Sequence, residues 1–204
     1  MAKSSVLDSL RSKYHRAILQ KILGLRKATG KPCYSNADSA SPASRAIAER
    51  IAVRLTSKTG QQPCHPPPKE QTAGTVFAAL TKDFLDQAFA HLHHLRPGKW
   101  LFSASQDKAG ITRYYQYEHL ADLQALLQQH PELRATIGGD YLVVPDITIA
   151  RQPVYDSEIN IGEKFVCDAE FLGKYTPLRA SVNTKSILHA SVSCKWTIRM
   201  ISIL

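Results

Sequence analysis

The chain has little of what would place it outside a reducing, aqueous compartment. Only four cysteines occur among 204 residues. They stand at Cys33, Cys64, Cys167 and Cys194 with no C-x-x-C pair, so they read as reduced thiols rather than a disulfide framework. No apolar run approaches the roughly 18 residues that signal a membrane-spanning helix. The start, Met1-Ala2-Lys3-Ser4-Ser5-Val6-Leu7-Asp8, has no apolar stretch before its first acid, which argues against a signal peptide. A Lys/Arg-rich amphipathic helix with an aromatic apolar face is also missing, so no membrane partner is expected and the location expected is the cytoplasm. No cysteine or second histidine pair sits at zinc-like spacing from His91, His93 and His94, which read as solvated histidines at a helix end. Internal repeats and a linker are absent too, and residues 1–204 are expected to form a single domain.

What is present is ordinary for a globular protein: 44% hydrophobic and 21% charged residues, enough for one packed core. The formal charge of +9 favours a polyanionic partner, because lysines and arginines that meet phosphates release counterions.

Apolar side chains at Val6, Leu10, Tyr14, Ala17, Ile18 and Ile22 predict an amphipathic helix within residues 1–30, closed by Gly24 or Gly30. After a polar, turn-rich stretch, Ser41-Pro42 supplies a cap and first-turn proline for a second helix with Ile47, Ile51 and Leu55 on its inner face. Pro63 and Pro66-Pro67-Pro68 make residues 56–74 a surface loop. The clearest helix is expected from about Thr75 to Leu95, with Phe77, Leu80, Phe84, Ala88 and Leu92 as its buried stripe and Arg96-Pro97-Gly98 as its stop. Trp100-Leu101-Phe102 reads as a strand and Tyr114 to Gln129 as a helix broken by Pro131. A turn at Gly138-Gly139-Asp140 launches a strand Tyr141 to Val144 that ends at Pro145-Asp146. Loop and a short helix fill residues 152–185. From Leu188 to Arg199 the chain alternates with period two, setting Leu188, Ala190, Val192, Cys194, Trp196 and Ile198 against His189, Ser191, Ser193, Lys195, Thr197 and Arg199. A strand with one dry and one polar face belongs at the wall of a site. The fold class expected is α/β, a central mixed sheet flanked by helices.

Asp146 at a strand end and Lys195 on a polar strand face are candidates for one phosphate-cleaving site, provided their strands are neighbours. A carboxylate holds a divalent cation, and an amine stabilises charge developing on phosphorus. Taken alone, a Pro-Asp pair is more often a turn and such a lysine more often solvated.

The stretch His189-Ala-Ser-Val-Ser-Cys-Lys-Trp-Thr-Ile-Arg199 resembles the lysine-bearing strand of the NgoMIV-type type II restriction endonucleases, members of the PD-(D/E)XK nuclease superfamily. In that family a serine, here Ser193, replaces the usual acid two residues before the lysine. Val144-Pro145-Asp146-Ile147-Thr148-Ile149-Ala150-Arg151 is similar to the Pro-Asp strand. Similarity extends to Ser35-Asn36-Ala37-Asp38, Gln71-Thr72-Ala73-Gly74, His94-Leu95-Arg96-Pro97-Gly98, Tyr114 to Leu120 and Pro131 to Tyr141, in order, over about residues 31–199.

The resemblance implies Mg²⁺-dependent cleavage of double-stranded DNA at a short GC-rich, GCCGGC-like palindrome, as part of a restriction-modification system. It implies a restriction-endonuclease-like core and a homo-oligomer, dimeric or tetrameric as in intact relatives. By position, Asp146 and the backbone carbonyl of Cys194 would ligate the metal and Lys195 would be catalytic. Arg199 would read guanine, Asp38 accept from cytosine, Gln71 reach the minor groove, and Ser193 lie at the DNA. Asp38 and Gln71 as turn caps, and Arg199 paired with a surface acid, are the competing readings.

Two departures stand out. Where the family continues into a Ser-Asp-Arg segment and a glutamate-bearing helix, this chain has Met200-Ile201-Ser202-Ile203-Leu204. That reads as an aberrant tail on a C-terminally truncated domain, with β-strand Leu188 onward left as an edge and cleavage impaired or lost. The family's acid after Gly-x-x-Phe is here Ala78, and Asp83, about 140° round the helix, is no substitute. A non-catalytic basic DNA-binding remnant and a product that does not fold are the alternatives.

Overall fold

The computed structural model describes residues 4–26, 32–104, 110–137, 144–167 and 175–199. The chain forms two compact units. The first comprises Met1–His91 together with Cys194–Leu204, and the second Leu92–Ser193.

Unit 1 is built on three helices, α1 (Val6–Lys21), α2 (Pro42–Thr59) and α3 (Glu70–Ala90), with a two-stranded antiparallel ladder of β1 (Leu25–Arg26) and β2 (Cys33–Tyr34). Ser5 caps α1 by accepting from the Asp8 amide, and its apolar stripe buries Ile18, Leu19 and Ile22, while Val6 stays exposed. These pack with Leu23, Ala52, Ala73 and Trp196 into the core. The Tyr14 ring stacks on Phe84 at 5.1 Å. Its hydroxyl is 2.8 Å from Thr81 Oγ1.

The helix ends before Gly24, which has a separate task. The Cys64 amide donates to the orphan carbonyls of Leu19 and Leu23 at 2.8 and 3.0 Å, capping α1 with the loop that follows α2. A Cβ on Gly24 would fall 2.1 Å from the Cys64 carbonyl oxygen. Gly24→Ala is therefore expected to lower stability by about 2 kcal/mol, as overpacking against immobile backbone does, read as a lower urea midpoint at unchanged slope.

The Ser41-Pro42 start of α2 is as expected, with the Ser41 hydroxyl accepting from the Ser44 amide, and Gly60 closes the helix in the left-handed region at φ 69°. Its inner face differs from the expectation. Ser44, Ala48 and Ala52 are buried, whereas Ile47 and Ile51 are each 38% exposed. Small side chains let α2 lie close to its neighbours, and Ser44 donates to the Ile198 carbonyl. The loop expected over 56–74 is shorter at both ends, since α2 runs to Thr59 and α3 begins at Glu70. The long helix stops at Ala90 and gives way to turns, so Leu92 is not part of its stripe.

Unit 2 holds a three-stranded antiparallel sheet in the order β3 (Trp100–Ala104), β4 (Ile147–Arg151), β5 (Ile187–Val192). Central β4 is buried from Ile147 to Ala150. Tyr114, itself buried, places its hydroxyl on Thr148 in that strand. Residues Tyr115–Tyr117 form a 3₁₀ turn, α4 spans His119–Gln129, and Pro131 opens α5 (Pro131–Ile137) rather than merely ending its predecessor. The edge strand β5 is shielded: the Gln116 side chain donates to the Leu188 carbonyl at 2.7 Å and accepts from its amide at 2.9 Å.

Two strand expectations need correction. A strand follows Asp146, where none was expected; of the one expected before it, only Val144 is among the described residues, irregular and exposed, and residues 138–143 lie outside them. The alternating strand ends at Val192 instead of Arg199, although exposure keeps alternating through exposed Ser193 and Lys195 to buried Trp196. Beyond Val192 the backbone turns to partners in unit 1, where the Ile198 amide donates to the Asn36 carbonyl at 2.8 Å. Residues 200–204, read as an aberrant tail, lie outside the described residues.

The short helix expected between residues 152 and 185 is α6 (Asp156–Ile159). Arg179 is only 1% exposed and forms a two-pronged pair with Asp156, with Nε to Oδ1 at 2.9 Å. The hydrogen bond from Arg179, reinforced by its charge, holds the Asp156 carboxyl below its ordinary value of 3.8. A carboxyl with a depressed folded pKa contributes stability above its unfolded value and loses it as pH falls through the folded one. Acid unfolding should therefore show a drop in stability starting near pH 3.8 and continuing below it. Asp156→Asn should flatten that limb and lower the thermal midpoint at neutral pH by several degrees, because Arg179 stays buried without its carboxylate.

Candidate active site

The antiparallel register of β4 and β5 ends with Ile147 opposite Val192. The next residues out, Asp146 and Ser193, therefore face each other across the end of the ladder. Ser193 Oγ donates to Asp146 Oδ2 at 3.2 Å. Pro145, buried and without an N–H, ends the pairing before Asp146. The carboxylate is half-buried at the mouth of a rigid strand, and the serine is exposed. β4, which follows Pro145-Asp146, and β5, which precedes Ser193, are thus hydrogen-bonded neighbours.

Oxygen is the only donor type that Asp146 and Ser193 present, which suits a hard cation such as Mg²⁺. Among the described residues no group of three His, Cys, Asp or Glu side chains converges. The residues present fit a Mg²⁺ ion held by one protein carboxylate and completed by water or phosphate oxygens; they do not fit a closed zinc centre.

The other predicted residues fall in unit 1. Lys195 is exposed, and Cys194 beside it is half-buried. Asp38 Oδ1 accepts from the Ala40 amide at 3.0 Å, a turn-capping bond. Gln71 is exposed on the first turn of α3. Arg199 Nη2 lies 3.9 Å from Glu70 Oε1, with both side chains exposed, a pair worth well under about 1 kcal/mol. Glu70 also accepts from the Thr197 hydroxyl. Sequence reasoning missed Glu70, because α3 was expected to start at Thr75; an acid just after Lys69 was the available signal. Ala78 is half-buried on α3 and Asp83 pairs with Lys82 at 3.3 Å, so neither supplies an acid here. A groove of about 820 Å³ along α2 is lined by Ile47, Arg50, Ile51 and Arg54 and contains neither Asp146 nor Ser193.

None of the four cysteines is in a disulfide, and burial pushes the Cys64 thiol up from its ordinary pKa. No helix among the described residues is long and apolar enough to cross a membrane.

Residues 14–202 match the family described as NgoMIV restriction enzyme. The chain is 41% identical over 167 residues to the type II restriction enzyme NgoMIV of Neisseria gonorrhoeae, an alignment covering 81% of this chain. It spans 56% of that relative's length. Matching almost from end to end, this α/β chain belongs to the NgoMIV restriction enzyme family.

Proposed function

We propose that this chain is a site-specific deoxyribonuclease that cleaves double-stranded DNA with Mg²⁺ at a short GC-rich, GCCGGC-like palindrome. The observation that carries this reading is the pairing of Asp146 with Ser193 at the end of the β4–β5 ladder, within a restriction-enzyme family. The Asp146 carboxylate and the Cys194 backbone carbonyl would hold the metal, which would supply neutralisation of phosphate charge and a lowered pKa for water. Ser193, donating to Oδ2, restrains rotation of the carboxylate. Lys195 donates to the phosphate oxygens on which charge develops. Arg199 makes a bidentate contact with guanine O6 and N7, leaving its loose partner Glu70 at little cost. Asp38, its rotamer set by the Ala40 amide, accepts from cytosine N4. Gln71 reaches the minor groove. Two copies related by a two-fold axis match a palindrome, as a dimer or within a tetramer, and DNA as substrate suits a cytoplasmic protein.

One observation favours a second reading, a basic DNA-binding protein without catalysis: among the described residues no group of three His, Cys, Asp or Glu side chains gathers at Asp146 or elsewhere. The decisive experiment is digestion of plasmid carrying GCCGGC sites. Discrete Mg²⁺-dependent fragments that disappear with Lys195→Ala establish the nuclease. Salt-sensitive binding indifferent to Mg²⁺, with no fragments, establishes the second reading instead.

A further inference from the structure

At the other end of β4, about 17 Å from Asp146 by strand rise, unit 2 contains a cavity of about 390 Å³. Small-ligand sites commonly have this size. Arg96, Arg151 and His189 line it, no acidic residue among the described ones does, and Pro97, Trp100 and Leu188 give it apolar walls. Two permanent cations and an imidazole without a carboxylate among them form a cradle for an anion.

The cradle is built rather than incidental. Glycine at position 98 leaves open the space that the Arg151 guanidinium occupies. Gly98 adopts φ +139°, and a Cβ there would come within 2.6 Å of Arg151 Nε and 3.2 Å of Cζ and Nη2. The Arg151 Nε is buried and has no hydrogen-bond partner among the described residues. Burying an N–H in that state is costly unless a ligand or water accepts from it. The Trp100 indole donates to the Arg96 carbonyl at 3.0 Å, tying down the loop that carries the second guanidinium. His189 is the extra residue of a β-bulge, between the pairs Ala150–Leu188 and Ile149–Ala190. Bulges re-aim side chains, and this one sets the imidazole edge-on to Trp100 at 4.9 Å and 74°.

We propose that this pocket binds the phosphate ester of a nucleotide, with Arg96 and Arg151 on the phosphate and the sugar or base against Trp100 and Leu188. Guanidinium forks match phosphate oxygens two at a time, and the apolar walls favour an organic ester over bare phosphate. The phosphate belongs either to a free mononucleotide or to a nucleic-acid backbone. The nuclease chemistry uses none of these residues, so the pocket is independent of that reading.

Calorimetric titration with thymidine 5′-monophosphate, thymidine and inorganic phosphate, beside duplex binding measured by anisotropy without Mg²⁺, tests it. A free-nucleotide site gives saturable binding of the monophosphate but not of thymidine, weakened roughly tenfold or more by Arg151→Met and by Arg96→Gln. A backbone site gives that loss in duplex affinity while the monophosphate fails to saturate. Arg96→Gln decides alone should Arg151→Met lack a cooperative thermal transition. Unchanged affinity for both monophosphate and duplex, or thymidine binding as tightly as its monophosphate, overturns the proposal. Failure of the nuclease reading registers elsewhere, in the fragments dependent on Lys195.

Discussion

Asp146→Asn is expected to reduce Mg²⁺-dependent cleavage by about 10³-fold or more while leaving salt-sensitive DNA binding within a few-fold of the original. Asparagine keeps the shape and can still accept from Ser193, whose hydroxyl reaches Oδ2 at 3.2 Å. On the proposed reading it removes the charge that would hold the cation. Each tenfold in rate is about 1.4 kcal/mol, and a metal's charge stabilisation at phosphate is worth several. Binding, by contrast, comes mostly from lysines and arginines on phosphates, and the chain carries 26 of them. Cleavage rates on plasmid and fluorescence anisotropy on a short duplex separate the two effects. Equal losses in both would mean that Asp146 supports the fold or the DNA surface rather than the metal.

The second large effect is expected from Trp196→Ala, with a loss of about 3–5 kcal/mol in unfolding free energy, the usual cost of emptying a buried aromatic site. Trp196 is 9% exposed and belongs to the core of unit 1 with Ile18, Leu19 and Ala73. Its ring sits 5.3 Å from Phe77 at 53°, a tilted arrangement that adds to area burial. The indole Nε1 is buried without a hydrogen-bond partner among the described residues. Trp196→Phe should therefore cost far less than Trp196→Ala, because it removes an unsatisfied donor along with some volume. Urea unfolding of the three proteins checks the order. Because Trp196 follows Lys195 directly, the alanine variant should also lose cleavage out of proportion to its remaining folded fraction.

How far the sequence could be read depended on whether a feature was local. The Ser41-Pro42 start of α2 needed only a side-chain oxygen and a preset φ, and the structure has both. Phe77, Leu80 and Phe84 declared α3 by their spacing, though not its start at Glu70, where no apolar period begins. The face of α2 was misread because large aliphatics were assumed to point inward. Close approach selected Ala48 and Ala52 instead, leaving Ile47 and Ile51 half out. Cys33–Tyr34 was illegible as a strand, since two residues carry no period and their partner is Leu25–Arg26.

The candidate site divides the same way. Pro145-Asp146 and Ser193-Cys194-Lys195 are motifs that a chain carries in its order alone, but they pointed to phosphodiester chemistry only together with the resemblance that runs along residues 31–199. Alternation from Leu188 onward fixed which side chains share a face, because successive Cβ atoms on extended backbone point to opposite sides. It could not fix where pairing stops. That was decided by partners distant in sequence. β4 holds β5 only as far as Val192, and Asn36 and Ser44 then take up the Ile198 backbone. Backbone hydrogen-bonding groups must be satisfied somewhere, and which strand or loop satisfies them is a property of the folded chain, not of any local stretch. The same packing set Asp146 against Ser193 and placed Arg151 over Gly98.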